Sequence, residues 1–402
     1  MLSVEKPSKK FLIIRLVIEA VLLIGLVLGN WYIYQHNDKP VVQNKVVIPK
    51  PQKISSNLLF TGNIYWGRYI NDWSMASDLK YQYPFSRLNE FNRDQYNAWI
   101  SGLECPVVSG VDMTSDYENN TLQFNCSPDY LSEAAKWFTI VSLANNHTDN
   151  QGADGFVETK QHLEEAGIQY FGHYDPYVVE DNCEVIGLPV TVINDNGSKF
   201  SNSLPVAMCG FHGVFKIPPD EAIAEMQKYS DYMPVIAMPH MGVEYRPAPD
   251  ELKTAVYRSM IDNGADMVIG DHPHWVQTSE SYNGHLIFYS MGNFMFDQQG
   301  NDEVARSASV NVLIEAASDD TDNLDKWLSL GPDCIAFKDD CLSLIKDQNL
   351  TKLNFTYKLG VVGSNNINHL TKPATPAQQT GILQRLNWQN TINGLQAPYS
   401  SL

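Results

Sequence analysis

Apolar runs alternate with segments of helical spacing along the central part of the chain. Unbroken or alternating apolar runs predict strands at residues 57–66, 96–100, 137–143, 189–193, 205–209, 235–238, 267–269 and 307–316. Apolar residues at helical spacing predict helices at residues 84–91, 128–136, 152–166, 219–230 and 250–263. Strands that alternate with helices in this way predict an α/β fold with a mixed sheet, and two packed sheets between helices suit the pattern better than one open sheet.

The pattern changes toward the C-terminus. Residues 275–282 and 286–291 predict a hairpin around Asn283-Gly284, a pair that suits a tight turn with positive φ. Beyond residue 317 the periodicity weakens, although residues 354–362 are a candidate last strand and residues 375–395 show helical spacing. We therefore predict one domain over residues 57–317 and a C-terminal extension, residues 318–402, that packs on it.

The N-terminus has the pattern of a membrane anchor. Residues 11–29 are largely apolar and are flanked by lysines on one side and aromatic residues on the other, namely Lys6, Lys9, Lys10, Trp31, Tyr32 and Tyr34. At helical rise the apolar run spans roughly 30 Å, about one bilayer core. The lysines predict a cytoplasmic N-terminus and the aromatic residues predict the far interface.

Two charges, Arg15 and Glu19, interrupt this run, but they are four residues apart and share a helix face. A cleaved signal peptide is the alternative, although no small-x-small cleavage site follows the run. We predict a cytoplasmic tip and single transmembrane helix at residues 1–34 and a linker at residues 35–56. The protein is then a single-pass cell-membrane protein with its body outside the cytoplasm.

Charge and cysteine content narrow the possible partners. The 402 residues carry a formal net charge of -18, with 46 acidic against 28 basic residues, which argues against a nucleic-acid partner and favours divalent cations. Six cysteines suit an oxidising compartment. Cys105 with Cys126 and Cys334 with Cys341 are plausible bridges that leave two more cysteines, but sequence alone does not fix the connectivity.

Polar residues of metal-ligand type follow five of the predicted strands. They are Asn63, Glu104, Asn145, Asn146, His147, His240, His272 and His274. Each alone has an ordinary explanation, such as a solvated charge, a turn amide or a loop histidine. Their recurrence at strand ends, including the His-x-His pair at 272 and 274, predicts one shared site above a sheet edge. Mixed imidazole, amide and carboxylate ligands favour zinc, manganese or iron over calcium.

Six segments around these residues carry a family resemblance. They are TGNIYWGR at 61–68, GLECP at 102–106, VSLANNHTDNQG at 141–152, PHMGVEY at 239–245, GDHPH at 270–274 and YSMGNF at 289–294. In this order they resemble the bacterial CapA-like family of capsule or poly-gamma-glutamate biosynthesis proteins, within the calcineurin-like metallophosphoesterase superfamily. The resemblance covers about residues 57–300 and implies a four-layer αββα sandwich of metallophosphatase type with a centre for one or two divalent transition ions, Mn, Zn or Fe.

The resemblance also implies a role for each matched residue. Glu104 takes the position of the bridging carboxylate; Asn146, His240 and His272 hold one ion, and His274 with Asn63 holds the other. His147 is implied as general acid or transition-state stabiliser, and Arg68 as a further catalytic residue. Asn145, Glu244 and Asn293 take substrate or supporting positions, and Ser290 matches the closing motif.

Three positions depart from the family pattern. The family has Asp where this chain has Asn63, and a neutral amide holds a divalent ion less strongly than a carboxylate. Gly102 replaces an Asn, and Met241 replaces a Trp. The first departure leaves two functional hypotheses open. One is a metal-dependent, phosphoesterase-like hydrolase acting on an anionic surface polymer or its precursor. The other is a non-catalytic accessory of a polymer synthesis or export complex with a degenerate metal site.

Overall fold

The computed structural model describes residues 9–36, 49–317, 320–336 and 338–402. The chain divides into two compact units, Met1–Ile48 and Pro49–Leu402. In the first unit, the predicted apolar run lies within helix α1, Lys9–His36. Most of the predicted cytoplasmic tip and residues 37–48 of the predicted linker lie outside the described residues. In the part of the chain that the structure describes, no helix is long and apolar enough to cross a membrane.

The second unit is built on strands that belong to one connected 15-stranded network. The strands are β1 Pro51–Ile64, β2 Ala98–Leu103, β3 Ile140–Ser142, β4 Gln169–Phe171, β5 Cys183–Asn194, β6 Lys199–Gly213, β7 Val235–Met241, β8 Met267–Ile269, β9 Ser279–Tyr282, β10 His285–Phe288, β11 Asn293–Met295, β12 Arg306–Ala317, β13 Asn354–Asn365, β14 Lys372–Pro373 and β15 Tyr399–Ser401. The predicted α/β class with a mixed sheet is confirmed.

Helices connect and cover these strands. They are α2 Arg68–Ala76, α3 Ser115–Thr121, α4 Leu131–Ala134, α5 Gly152–Glu165, α6 Asp220–Ala224, α7 Gln227–Ser230, α8 Glu251–Asp262, α9 Asp302–Ala305, α10 Thr321–Ala336, α11 Lys338–Asp347, α12 Pro376–Leu386 and α13 Trp388–Gly394. Short 3-10 helices lie at Lys80–Phe85, Leu88–Phe91, Arg93–Gln95, Pro128–Tyr130, Val179–Asp181 and Ile367–His369.

Strand β1 is the branch point of the network. Its first residues pair antiparallel with β5, and its last residues pair parallel with β2 and β11. One arm continues through the parallel strands β2, β3 and β4, and the other runs through β5 and β6 to the parallel strands β7, β8 and β10. The carboxyl ends of two sets of parallel strands can therefore contribute side chains to one site.

The end of β1 requires a glycine. A Cβ atom at Gly62 would lie 1.8 Å from the carbonyl oxygen of Gly292, so only a residue without a side chain permits this approach. The backbone N–H of Asn63 donates to the same carbonyl at 3.0 Å. This contact fixes the first predicted ligand position beside β11.

The buried apolar side chains of this unit form two clusters. The larger one packs strands β5–β8, β10, β12 and β13 with helices α8 and α10. The smaller one is rich in aromatic residues around Trp99, whose ring meets Phe91 and Phe294 edge-on at 5.9 Å. Burial of these side chains supplies the main driving force for folding and holds the strand ends in place.

Several element boundaries differ from the sequence prediction. Strand β1 begins at Pro51, so the last residues of the predicted linker belong to the sheet. The predicted helix at 84–91 is a pair of 3-10 turns, because Pro84 interrupts the α-helical pattern. The predicted helices at 219–230 and 375–395 are each split in two. The hairpin turn is confirmed, with positive φ at both Asn283 and Gly284.

The C-terminal residues extend the sheet rather than only covering it. Strand β13 pairs antiparallel with β12 along the whole length of both strands. The two bridges considered from sequence both form, and Cys183 pairs with Cys209, its direct partner in the β5–β6 register. All six cysteines are therefore in disulfides.

Candidate metal centre

The predicted site residues converge from both arms of the sheet. Asn63 lies at the end of β1, Glu104 directly follows β2, and Asn145 and Asn146 follow β3. From the other arm, His240 lies near the end of β7, and His272 and His274 follow β8. These side chains are buried. They meet because the strands that carry them are parallel within each arm and end on the same side.

One group of donor atoms forms around His240. Its Nε2 atom lies 2.9 Å from Asn146 Oδ1 and 3.2 Å from Nδ1 of His272. Asn145 orients the ring from the other side, with its Nδ2 atom 3.4 Å from His240 Nδ1. Two imidazole nitrogens and one amide oxygen thus converge on a small volume, and this is a ligand set suited to a transition ion.

A second group forms around His274. The Nδ2 group of Asn293 donates to the carbonyl of Val304 at 3.3 Å, so its Oδ1 atom accepts the Nδ1 proton of His274 at 2.8 Å. The neutral His274 ring therefore carries its lone pair on Nε2. The Nε2 atom lies 3.6 Å from Oε1 of Glu104. Two acceptors that face each other across this distance are suited to a cation between them.

Unpartnered polar atoms support the same conclusion. Both side-chain polar atoms of Asn63 and both carboxylate oxygens of Glu104 are buried without hydrogen-bond partners. Burial of an unpaired polar group costs free energy, and burial of an unpaired charge costs more. The donor types and their lack of partners fit a divalent cation at this position. Among the described residues, no group of three or more His, Cys, Asp or Glu side chains alone has the arrangement of a metal site.

The ionisation states follow from burial. Desolvation raises the pKa of Glu104 well above its usual value, and the nearby carboxylates of Asp271 and Glu244 raise it further. Desolvation also lowers the pKa of His240 and His272 well below the usual value, with neighbouring histidines adding to the effect. The pKa of His274 is lowered by burial as well. These imidazoles are therefore neutral near pH 7, which is the form that ligates metals.

The H-x-H segment bends the backbone into an uncommon conformation. His272 has φ 91° and His274 has φ 57°, both in the left-handed region. Such residues cost about 1–3 kcal/mol each and persist where the surrounding structure enforces them. The bend lets both rings enter the same region, with centroids 6.0 Å apart, as the sequence predicts.

His147 lies at the rim of the centre. Its backbone N–H donates to Oδ1 of Asn145 at 2.8 Å. Asn150 Oδ1 accepts a hydrogen bond from the Phe124 N–H, so the same oxygen accepts the Nδ1 proton of His147 at 3.0 Å. Burial lowers the pKa of His147 to about 4. The ring is therefore neutral near pH 7, with its lone pair on Nε2.

Arg68 does not extend freely into the centre. Its guanidinium donates to both oxygens of Asp297 at 2.5 Å, and this ion pair is almost fully buried. The guanidinium lies 5.0 Å from the centroid of the Phe124 ring, and the His147 ring also packs on Phe124, with ring centroids 4.1 Å apart. Arg68 therefore contacts His147 indirectly, through Phe124.

The other predicted residues lie around the edge. Glu244 is half-exposed, and its Oε1 atom is 3.9 Å from His272 Nε2. Asn293 acts through His274, as described above. Ser290 is buried, and its hydroxyl accepts from the backbone N–H of Gly292 at 3.3 Å.

Sequence reasoning missed or undervalued three residues at the centre. Asp271, inside the H-x-H motif, is buried with both carboxylate oxygens unpartnered. Lys253 on α8 is fully buried, and burial lowers its pKa to about 7. His212 pairs with His240 in the β6–β7 register and has an unpartnered Nε2. Of the three, only Asp271 has a signal in the sequence, because its charged side chain directly precedes the predicted ligand His272.

Comparison with known proteins identifies relatives. The capsule biosynthesis protein CapA of Bacillus anthracis is 25% identical over 306 residues, 73% of this chain and 70% of that protein. The PGA biosynthesis protein CapA of Bacillus subtilis (strain 168) is 29% identical over 271 residues, 63% of this chain and 67% of that protein. Among solved structures, TT1561 of Thermus thermophilus matches 63% of this chain and 93% of its own, at 11% identity and a TM-score of 0.34.

The model of one protein family matches most of the segments that form the centre. It is described as bacterial capsule synthesis protein PGA_cap, and it matches residues 57–188 and 217–298. These ranges contain every predicted metal-ligand position and both arms of the sheet at their carboxyl ends. This chain belongs to the PGA_cap family of bacterial capsule synthesis proteins.

Proposed function

We propose that this protein is a metal-dependent hydrolase, phosphoesterase-like in chemistry, that acts in the synthesis of an anionic surface polymer of the capsule or poly-gamma-glutamate type. The observation that carries the proposal is the buried donor set. Asn146, His240 and His272 converge within hydrogen-bond distance, and the unpartnered carboxylate of Glu104 faces the lone pair of His274. One or two Mn, Zn or Fe ions suit these ligands.

Asn146, His240 and His272 would hold one ion, and Asn63 and His274 the other, with Glu104 between them. A divalent ion would supply a nucleophile at neutral pH, by lowering the pKa of water, and positive charge for an anionic substrate. The polymer or its precursor is anionic and the chain has a net charge of -18, so the ions would also offset long-range repulsion of the substrate.

His147 would exchange a proton with the substrate from Nε2. Its Nδ1 proton is held by Asn150, so Nε2 is the free position. The neutral ring would first accept a proton from the attacking water, a state that the charge of an anionic substrate would favour, and would then donate that proton to the leaving group. The Phe124 ring packs against the His147 ring, and Asn145 fixes the backbone by accepting from the His147 N–H. The Arg68 guanidinium lies over the Phe124 ring.

Metal content and hydrolysis test this proposal together. The purified chain is loaded with Mn²⁺, Zn²⁺ or Fe²⁺, its bound metal is measured, and cleavage of a chromogenic phosphodiester is followed. We expect His147→Ala to lower kcat by about 10²–10⁴-fold with unchanged metal content. His162→Ala, a change at a histidine on the surface of α5, is the matched control. A wild-type chain that binds no metal at saturating concentrations refutes the proposal.

Asn63 favours a second candidate function. A neutral amide at a position where a carboxylate is expected weakens one ion site, as in a non-catalytic accessory that binds polymer or a synthesis or export subunit. Capsule production in cells that carry His147→Ala distinguishes the two functions. Loss of capsule at normal protein level supports the hydrolase, and an unchanged capsule supports the accessory.

We also propose that α1 attaches the protein to the cell membrane, with the Pro49–Leu402 unit outside the cytoplasm. Apolar side chains of α1 such as Val21, Leu22 and Leu26 are more than half exposed, and a lipid environment would remove this apolar surface from water. Removal of residues 1–34 should release the protein from the membrane fraction. We further infer that the two arms of the sheet pack face to face as a four-layer αββα sandwich, supported by the contact of Asn146 with His240 between the arms.

A further inference from the structure

We propose that Asp271 supplies the negative charge that Asn63 lacks, from a position beside Asn63 at the ion site of Glu104 and His274. The inference rests on the proposed function, because it concerns the same centre. It assigns a role to a residue that precedes the His-x-His pair and that the family resemblance does not mark as a ligand. Position, burial and charge all support this role.

The position of Asp271 is defined by its neighbour Gly102. A Cβ atom at Gly102 would lie 2.9 Å from Oδ2 of Asp271 and 3.5 Å from Oδ1 of Asn63. The two side-chain oxygens therefore approach one point from different strands. The carboxylate occupies space that any side chain at position 102 would fill, so glycine at 102 and aspartate at 271 are structurally linked.

The surroundings of Asp271 leave its charge unbalanced. Its side chain is buried, and neither carboxylate oxygen has a hydrogen-bond partner of normal geometry. Among the described residues, no Lys, Arg or His nitrogen forms an ion pair with it. The positive charge of Lys253 acts on Asp271, but its ammonium donates to Oε1 of Gln277 at 3.0 Å and lies 5.1 Å from the Tyr257 ring centroid.

Two buried carboxylates and one unpartnered amide thus share one region. Glu104 and Asp271 are close enough to repel each other, and Asn63 adds an oxygen with no donor near it. Two like charges in a buried site are tolerated when a cation lies with them. A carboxylate that comes from the end of β8 instead of the end of β1 keeps the charge of the site while changing its origin in the sequence.

A charge-exchange experiment tests this assignment without an activity assay. The full-length chain is purified as wild type, Asp271→Asn and the double variant Asn63→Asp/Asp271→Asn, which returns the carboxylate to position 63. Each protein is freed of metal and titrated with Mn²⁺, with stoichiometry from elemental analysis and affinity from calorimetry. The Mn²⁺ EPR spectrum reports whether two ions are exchange-coupled.

We expect Asp271→Asn to weaken the weaker Mn²⁺ site by about 10- to 100-fold or to lose it, and the double variant to recover it. Circular dichroism and urea unfolding of the metal-free proteins confirm that each variant is folded. The isosteric change removes an unpaired buried charge, so folding is expected to be retained.

Three outcomes are distinguishable. Wild type that binds two ions, a single variant that binds one and a double variant that binds two support the inference. Equal Mn²⁺ binding by wild type and Asp271→Asn overturns the inference and leaves the proposed function intact. Absence of Mn²⁺ binding by wild type and by the double variant overturns both the inference and the proposed function.

Discussion

The effect of Glu104→Gln on the free energy of unfolding should change sign with metal. The variant should be more stable than wild type without metal and less stable than wild type with metal. Glu104 is fully buried, and neither of its oxygens has a hydrogen-bond partner. Burial is the main cause that raises its pKa, and the negative charges of Asp271 and Glu244 add to it. Without a cation, folding must either bury this carboxylate unpaired or take up a proton. A glutamine of the same shape avoids both costs.

The sign of the pH dependence follows from the raised pKa. Below the ordinary glutamate pKa of 4.5, Glu104 is protonated in both folded and unfolded chains. Above that value the unfolded chain releases its proton while the folded chain retains it, so the free energy of unfolding falls as pH rises toward the folded pKa. Each unit of pKa difference corresponds to about 1.4 kcal/mol.

We expect the metal-free Glu104→Gln variant to be more stable than wild type by about 1–3 kcal/mol at pH 7.5, the cost of an unsatisfied buried polar group. The difference should shrink at pH 4.5. Mn²⁺ at 100 times its dissociation constant should stabilise wild type by about 2.7 kcal/mol and the variant much less. Wild type should then be the more stable protein.

Urea unfolding followed by circular dichroism, in EDTA and in Mn²⁺ and at both pH values, measures these differences. Glu165→Gln, at a side chain that is 79% exposed, is the control and should change little under any condition. The reasoning is refuted if Glu104→Gln destabilises the metal-free protein at pH 7.5, or if Mn²⁺ stabilises both proteins equally.

Two further changes test what supports the centre. Arg68→Met should lower the free energy of unfolding by about 3–5 kcal/mol, because it leaves the carboxylate of Asp297 buried and unpaired. Arg87→Met, which breaks an ion pair between two exposed side chains, should cost much less. Equal losses in urea unfolding would contradict this. Replacing Cys105 and Cys126 by alanine should cost about 3 kcal/mol in the same assay, since the disulfide closes a loop with a sequence separation of 21. The C-terminal disulfide, with a separation of 7, should contribute less, and the reverse order would contradict the loop argument.

The strand ends could be predicted because the chemistry of the chain changes abruptly there. A strand that is buried on both faces reads as an apolar run, and its last residue is followed by a polar one, as at Glu104 and His240. The proximity of these positions also follows from parallel pairing, which brings the carboxyl ends of neighbouring strands together. The family resemblance supplied the remaining prediction, namely which imidazole and which amide would bind the same ion.

Other features depend on contacts between distant residues that no local pattern reveals. The branching of β1 arises because its two halves pair with different strands, and a single apolar run gives no sign of this. Strand β11 has only a few residues and is defined by its contact with the end of β1. The C-terminal strand β13 gave a weak signal because its burial comes from pairing with β12.

The same limit explains why Asp271 was not identified as a site residue. In the sequence it only precedes His272, whereas in the structure the absence of a side chain at Gly102 opens the space that its carboxylate occupies. The nearby positive groups are already engaged, Arg68 by Asp297 and Lys253 by Gln277. No positive group in this part of the chain therefore balances Glu104 and Asp271 when they are ionised. A fold that buries such charge beside neutral imidazoles gains stability from a cation, so metal loading and folding should be thermodynamically linked in this protein.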